Sequence, residues 1–170
     1  LLKTIPLFFK RPSLEQIHRE VFTHVLKGLR LSELDSAATQ FLKREIPNLL
    51  CPTIFSYVEN AKKNREKIFL LSSSPLYLVE KIAREFSFDR CAGTEYGIDK
   101  EGRICEITSL ITGIEKREIA RRWAENGATS VAYSDSQDDL ALLEWADKAI
   151  LIRPSRSFRK IAQFRNWTLI

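Results

Sequence analysis

The chain has 170 residues, 44% of them apolar and 29% charged, which suits one domain with a real core and leaves room for a small inserted cap. Its net charge is +5, but the cations are scattered without a run of five, which argues against a nucleic-acid partner. No apolar run reaches the ~18 residues of a membrane span. "LLKTIPLFF" at the start is too short, is interrupted by Pro6 and lacks a signal-peptide cleavage pattern. Cys51, Cys91 and Cys105 are an odd set with no CxxC, the usage of reduced thiols in a cytoplasmic protein. Residue 1 is not Met and the chain contains none, so position 1 is not expected to be the native start.

The pattern changes near residue 64. Residues 1–64 read as helices. Ser13 and Gln16 form a capping-box signature ahead of Ile17, Val21, Val25 and Leu29 at helical spacing, with Gly28 as a stop. Ser32 is placed to cap a second helix carrying Leu34, Ala38, Phe41 and Leu42, which Pro47 should end. Pro52 should open a third. From Lys67, strands and helices alternate. "IFLL" (68–71) is a wholly apolar strand, and Leu78, Val79, Ile82 and Phe86 mark the next helix. A strand near Arg90–Thr94 leads into a hairpin at "GIDKEGRI" (97–104). Helices over Glu115–Glu125, Asp138–Trp145 and Arg156–Phe164 separate strands at "SVAY", "AILI" and "WTLI". This alternation predicts an α/β fold with a mostly parallel sheet flanked by helices, whose ligands bind beyond the carboxyl ends of the strands.

Three stretches near those ends could carry chemistry. "SSSP" (72–75) offers the hydroxyls and N–H groups of Ser72, Ser73 and Ser74 as an anion cradle, or simply Ser74 as a helix cap. Lys116, in "TGIEKREIA", sits in the first turn of a helix, where its charge opposes the dipole. It is either ligand-facing or a solvated surface lysine. "SDSQDD" (134–139) holds Asp135 at a strand end, with Asp138 and Asp139 in the next helical turn. These acids either tune the dipole or offer oxygens to a hard cation such as Mg2+. His18 and His24 do not share a helix face and read as packing or surface residues. The cysteines lack zinc spacing. Trp123, Trp145 and Trp167 read as packing aromatics.

In this order, "FLLSSSP", the lysine of "GIEK" and "YSDSQDDLALLEWAD" resemble the second, third and fourth motifs of the haloacid dehalogenase superfamily. The resemblance is to its phosphoserine-phosphatase-like branch, and "GTEY" (93–96) and the ending from "AILIRPS" onward add to it. It implies a Rossmann-like α/β core over 65–170 with an α-helical cap over 1–64. It also implies phosphoryl transfer, usually Mg2+-dependent hydrolysis of a small phosphorylated metabolite. By position, Ser72 and Ser73 would bind phosphoryl oxygens and Lys116 would neutralise the phosphoryl group and the nucleophile. Asp135 would reach the metal, and Asp139 would support the metal or hold the lysine. Asp138 falls on a variable position.

Two departures stand out. Ser134 replaces the glycine usual before the first motif-four aspartate. No DxD stretch, the family's nucleophile motif, occurs anywhere in the chain; "LDSAAT" (34–39) lies in a helical pattern without a preceding strand. The motif and the central strand that carries it are therefore expected upstream of residue 1. Without that strand, two sheet edges would lie unpaired around an open core, and the chain alone would be inactive for want of a carboxylate nucleophile. The alternative is a non-catalytic relative that binds a phospholigand and has lost its nucleophile. A phosphotransferase is a third reading. Substrate choice would rest on the helical region.

Overall fold

A computed structural model of the chain describes residues 12–170. "LLKTIPLFF", Lys10 and Arg11 lie outside the described residues. The Ser13 capping box forms as expected: the Gln16 N–H donates to Ser13 Oγ at 3.2 Å and the Ser13 N–H to Gln16 Oε1 at 2.8 Å. It opens α1 (Leu14–Val21), which runs into a π-helical turn over Phe22–Leu26, closed by the Lys27 N–H on Phe22 O. The wider turn changes the helical phase. Leu26 is consequently the buried residue, while Ile17, Val21, Val25 and Leu29 stay exposed. Gly28 then reverses the chain at φ +86°.

The second helix differs from expectation at both ends. α2 (Leu31–Leu49) starts behind Arg30, so Ser32 is not its cap. The Leu31 N–H is satisfied instead by the distant Gly102 carbonyl at 3.0 Å. Nor does Pro47 end it: the helix runs through to Leu49. So close to the end, a proline forfeits one bond, and the last turn still closes through the Leu50 N–H on Ile46 O at 3.1 Å. α3 (Pro52–Lys63) begins at Pro52 as expected. Grouped by sequence with the helical region, α3 nevertheless touches the strand-bearing part. Phe55 meets Phe86 edge-on at 5.8 Å, and Tyr57 packs on Tyr133 at 5.2 Å.

The alternation that follows is β1 (Phe69–Pro75), α4 (Leu76–Glu85), β2 (Arg90–Ile98), β3 (Ile104–Ser109), α5 (Gly113–Trp123), β4 (Val131–Ser134), α6 (Leu140–Trp145), β5 (Lys148–Leu151), α7 (Arg156–Phe164) and β6 (Thr168–Leu169). Two details change the sequence reading. β1 extends through all three serines, and α4 starts behind Pro75 with no side-chain cap, so Ser74 is not a helix cap. The helix expected from Asp138 opens as a 3-10 turn over Gln137–Asp139.

The strands form two three-stranded sheets, ordered β1-β2-β3 and β4-β5-β6. All pairs are parallel except the β2–β3 hairpin. Among the described residues, β1 pairs only with β2, and β4 only with β5. Each sheet therefore presents a row of open backbone groups along a parallel strand, an arrangement that invites another strand. The sheets nonetheless share apolar packing, because Leu71 of β1 rests on the core of the second sheet. That core gathers Ala120, Ala132, Leu143, Leu151, Phe158 and Ala162, with Trp145 and Trp167 around it. Trp123 instead takes Phe69 edge-on at 5.4 Å beneath the Arg90 guanidinium. No helix among the described residues is long and apolar enough to cross a membrane.

Phe158 is 0% exposed at the centre of this cluster. Phe158→Ala should destabilise the fold by about 3–5 kcal/mol, through lost transfer energy and a cavity that close packing cannot fill. Urea denaturation followed by circular dichroism measures it, and a loss under 1 kcal/mol would contradict the packing.

Candidate active site

The site lies where the carboxyl ends of β1 and β4 meet the start of α5. Thr112 and Glu115 open α5 with a capping box, in which the Thr112 N–H donates to Glu115 Oε2 at 3.0 Å and the Thr112 hydroxyl donates to the same oxygen. The cap fixes the first turn and thereby the root of Lys116. The Lys116 ammonium reaches across to Asp139, with Nζ 2.7 Å from Oδ1. Lys116 and Asp139 are each 8% exposed, so this is a buried ion pair joining residues 23 apart in sequence. Of the two readings of Lys116, the solvated surface lysine is excluded.

Ser134 is part of the same arrangement. Its hydroxyl donates to Asp139 Oδ2 at 2.7 Å and accepts the Ser136 N–H at 3.0 Å. The side chain that replaces the usual glycine is thus folded onto Asp139. Both Asp139 oxygens accept hydrogen bonds, whereas the Asp135 carboxylate takes part in none among the described residues. Asp135 is exposed just beyond β4, and the hydrogen bonds within 134–139 do not engage its carboxylate. Asp138 is turned aside, its Oδ2 taking the Ser136 hydroxyl at 3.2 Å. No group of three or more metal-ligating side chains occurs among the described residues. One exposed carboxylate, unpartnered among the described residues, beside a lysine-held acid would suit Mg2+, which keeps most of its waters and uses few protein oxygens.

On the β1 side, Ser72 Oγ accepts the Ser74 N–H at 3.1 Å, which curls the strand end. Ser73 Oγ is buried without a hydrogen-bond partner among the described residues. An orphaned hydroxyl costs free energy that a bound acceptor would recover. Thr94, 0% exposed, holds this strand end in place. Its hydroxyl donates to Ser73 O at 2.8 Å and accepts the Ile111 N–H at 3.3 Å, tying β1 to the segment that leads into α5. Ser72 and Asp135 make no hydrogen bond to the Lys116–Asp139 pair.

Sequence reading missed two residues here, Thr94 and Gly113. Thr94 lay within the quoted "GTEY" stretch, in a strand of mixed polarity that gave no sign of its burial. His18, read as packing or surface, is half-buried on α1, and burial first, then the Lys116 charge, pushes its pKa down. Gly113 left only its place in "TGIEK" as a hint. Nearby, Phe22 stacks on Tyr96 at 6.1 Å, and burial, with a smaller contribution from Tyr77, pushes the Tyr96 phenol up to about 12.

The family model of haloacid dehalogenase-like hydrolases matches residues 5–144, and the chain belongs to that family. A phosphoserine phosphatase of Mycobacterium tuberculosis is 28% identical over 111 residues, covering 61% of this chain and 35% of that protein. A histidinol-phosphatase of Neisseria meningitidis is 22% identical over 147 residues, covering 81% of this chain and 66% of the relative. The chain spans between about a third and two thirds of the length of the curated relatives it matches. Among solved structures, a Bordetella pertussis protein of unknown function superposes with a TM-score of 0.79 at 24% identity, covering 94% of this chain and 74% of that one. A substrate-bound phosphoserine phosphatase superposes with a TM-score of 0.66 at 17% identity, covering 92% and 70%. The fold is that of the phosphoserine-phosphatase-like branch.

Proposed function

We propose that the protein containing this chain is a Mg2+-dependent phosphomonoester hydrolase that works through an aspartyl-phosphate. The observation that carries this reading is the buried Lys116–Asp139 pair at 2.7 Å, set at the strand ends of a haloacid dehalogenase-like fold. Burying a lysine is costly unless it is paired. A paired lysine aimed at a ligand edge supplies fixed positive charge where a phosphoryl group gains negative charge.

Each residue then has a role. Ser72 and Ser73 donate to phosphoryl oxygens, and Ser73 has an unused hydroxyl to give. Lys116 neutralises the phosphoryl group and the attacking carboxylate. Asp139 holds Lys116 through Oδ1, and Ser134 holds Asp139 through Oδ2. Asp135 is the protein oxygen for the cation, with Asp139 behind it. Bound Mg2+ would supply Lewis-acid stabilisation of phosphoryl oxygen charge. The nucleophilic aspartate would ride on a strand seated between β1 and β4, whose remaining edges pair with no strand among the described residues. In-line attack of that carboxylate on phosphorus would break the ester bond, and water would then release phosphate. The helical region would cover the site and choose among small phosphorylated metabolites, and the usage of reduced thiols suits a cytoplasmic location.

The test uses the full-length protein with p-nitrophenyl phosphate. Phosphate release that requires Mg2+ and passes through a hydroxylamine-sensitive phosphoenzyme is expected, with none from residues 1–170 alone. Binding of phosphate without turnover of any phosphomonoester would replace this reading with a phospholigand-binding relative that lacks its nucleophile.

A further inference from the structure

We propose that Gly113 is a positioning residue for the Lys116–Asp139 pair, a role that rests on the phosphohydrolase reading only in making that pair catalytic. A Cβ at Gly113 would lie 1.7 Å from the Asp138 carbonyl oxygen, 2.9 Å from its carbon and 3.5 Å from Asp139 Cα. The obstacle is backbone, which cannot rotate away as a side chain does. Gly113 is helical and does not adopt positive φ, so glycine is needed here for space and not for conformation. Intrinsic propensity argues the same way, since alanine is favoured over glycine in a helix and contact alone opposes it.

The geometry explains how one missing methyl reaches the chemistry. Gly113 and Lys116 are three residues apart on α5 and lie on neighbouring positions of one helix face. Asp138 directly precedes Asp139. The contact of Gly113 with the Asp138 carbonyl therefore sets the separation between the helix that bears the lysine and the turn that bears its acid. A side chain at 113 pushes the two apart, and the pair at 2.7 Å opens. Asp135 and Ser134 share that turn, so the cation-facing carboxylate shifts with it.

The experiment compares G113A with the full-length wild type in three ways. A crystal structure should show Lys116 Nζ and Asp139 Oδ1 separated beyond salt-bridge distance. Turnover of p-nitrophenyl phosphate should fall about 10²-fold in kcat with a much smaller change in KM, the scale of loss from a misplaced catalytic group. I114A, altering an exposed neighbour, should leave both unchanged. Third, the loss of stability on G113A should shrink when it is introduced into K116M/D139L, which has no pair to misplace. An intact pair in folded G113A, or an equal stability loss in both backgrounds, would overturn the proposal. So would failure of G113A to fold in both backgrounds, since Gly113 would then support the fold alone. The structural and stability arms need no phosphatase activity. An inactive wild type would sink the functional reading and leave this one standing.

Discussion

Lys116→Ala in the full-length protein should lower kcat for a generic phosphomonoester by about 10²–10³-fold, the range found when one preorganised electrostatic donor is removed. It should also destabilise the protein. The substitution leaves Asp139 buried, with Ser134 as its remaining donor. Breaking a buried pair from one side costs about 3–5 kcal/mol, because a charge is left without its partner. Replacing both partners, as in K116M/D139L, should restore much of the stability and none of the activity. Steady-state kinetics and urea denaturation on the same preparations check both halves. Full activity in Lys116→Ala would remove the lysine from the site.

Asp135→Asn should separate function from stability. The amide keeps the shape of the carboxylate but loses the charge that attracts a hard cation. A metal ion contributes several kcal/mol of charge stabilisation to phosphoryl transfer, so turnover should fall on the order of 10³-fold. Stability should stay within about 0.5 kcal/mol, because Asp135 is exposed and engages none of the local hydrogen bonds. Calorimetric Mg2+ titration should show the lost affinity directly. Wild-type turnover in Asp135→Asn would refute its place at the cation. Together the two variants separate a residue that both builds and works the site from one that only works it.

Much of this was legible in the residues. Apolar runs such as 68–71 and 149–152 marked strands because a buried strand must be apolar over its whole length. Ser13 with Gln16 marked a helix start because that box closes within one turn. The order of serines, lysine and aspartates pointed to the family. The alternation of strands and helices pointed to mostly parallel pairing, and among the described residues every strand pair but the β2–β3 hairpin is parallel. These features are local, or follow from the order of local features.

Tertiary structure decided the rest. Pro47 was read as a helix end, yet the turn beyond it closes, and α2 starts on the Gly102 carbonyl, which lies far along the chain. Ser74 has the residue type of a cap, but β1 runs through it to Pro75. Thr94 gained its role from two partners, Ser73 and Ile111, on either side of it in sequence. The solvated-surface reading of Lys116 falls because Asp139, 23 residues away, pairs with it in a buried setting. Gly113 matters only because Asp138 passes against it. A sequence window carries periodicity, capping and turn chemistry, whose partners lie within a few residues. Burial, distant hydrogen bonds and steric contact depend on which segments the fold brings together, and in this chain those contacts assemble the candidate site.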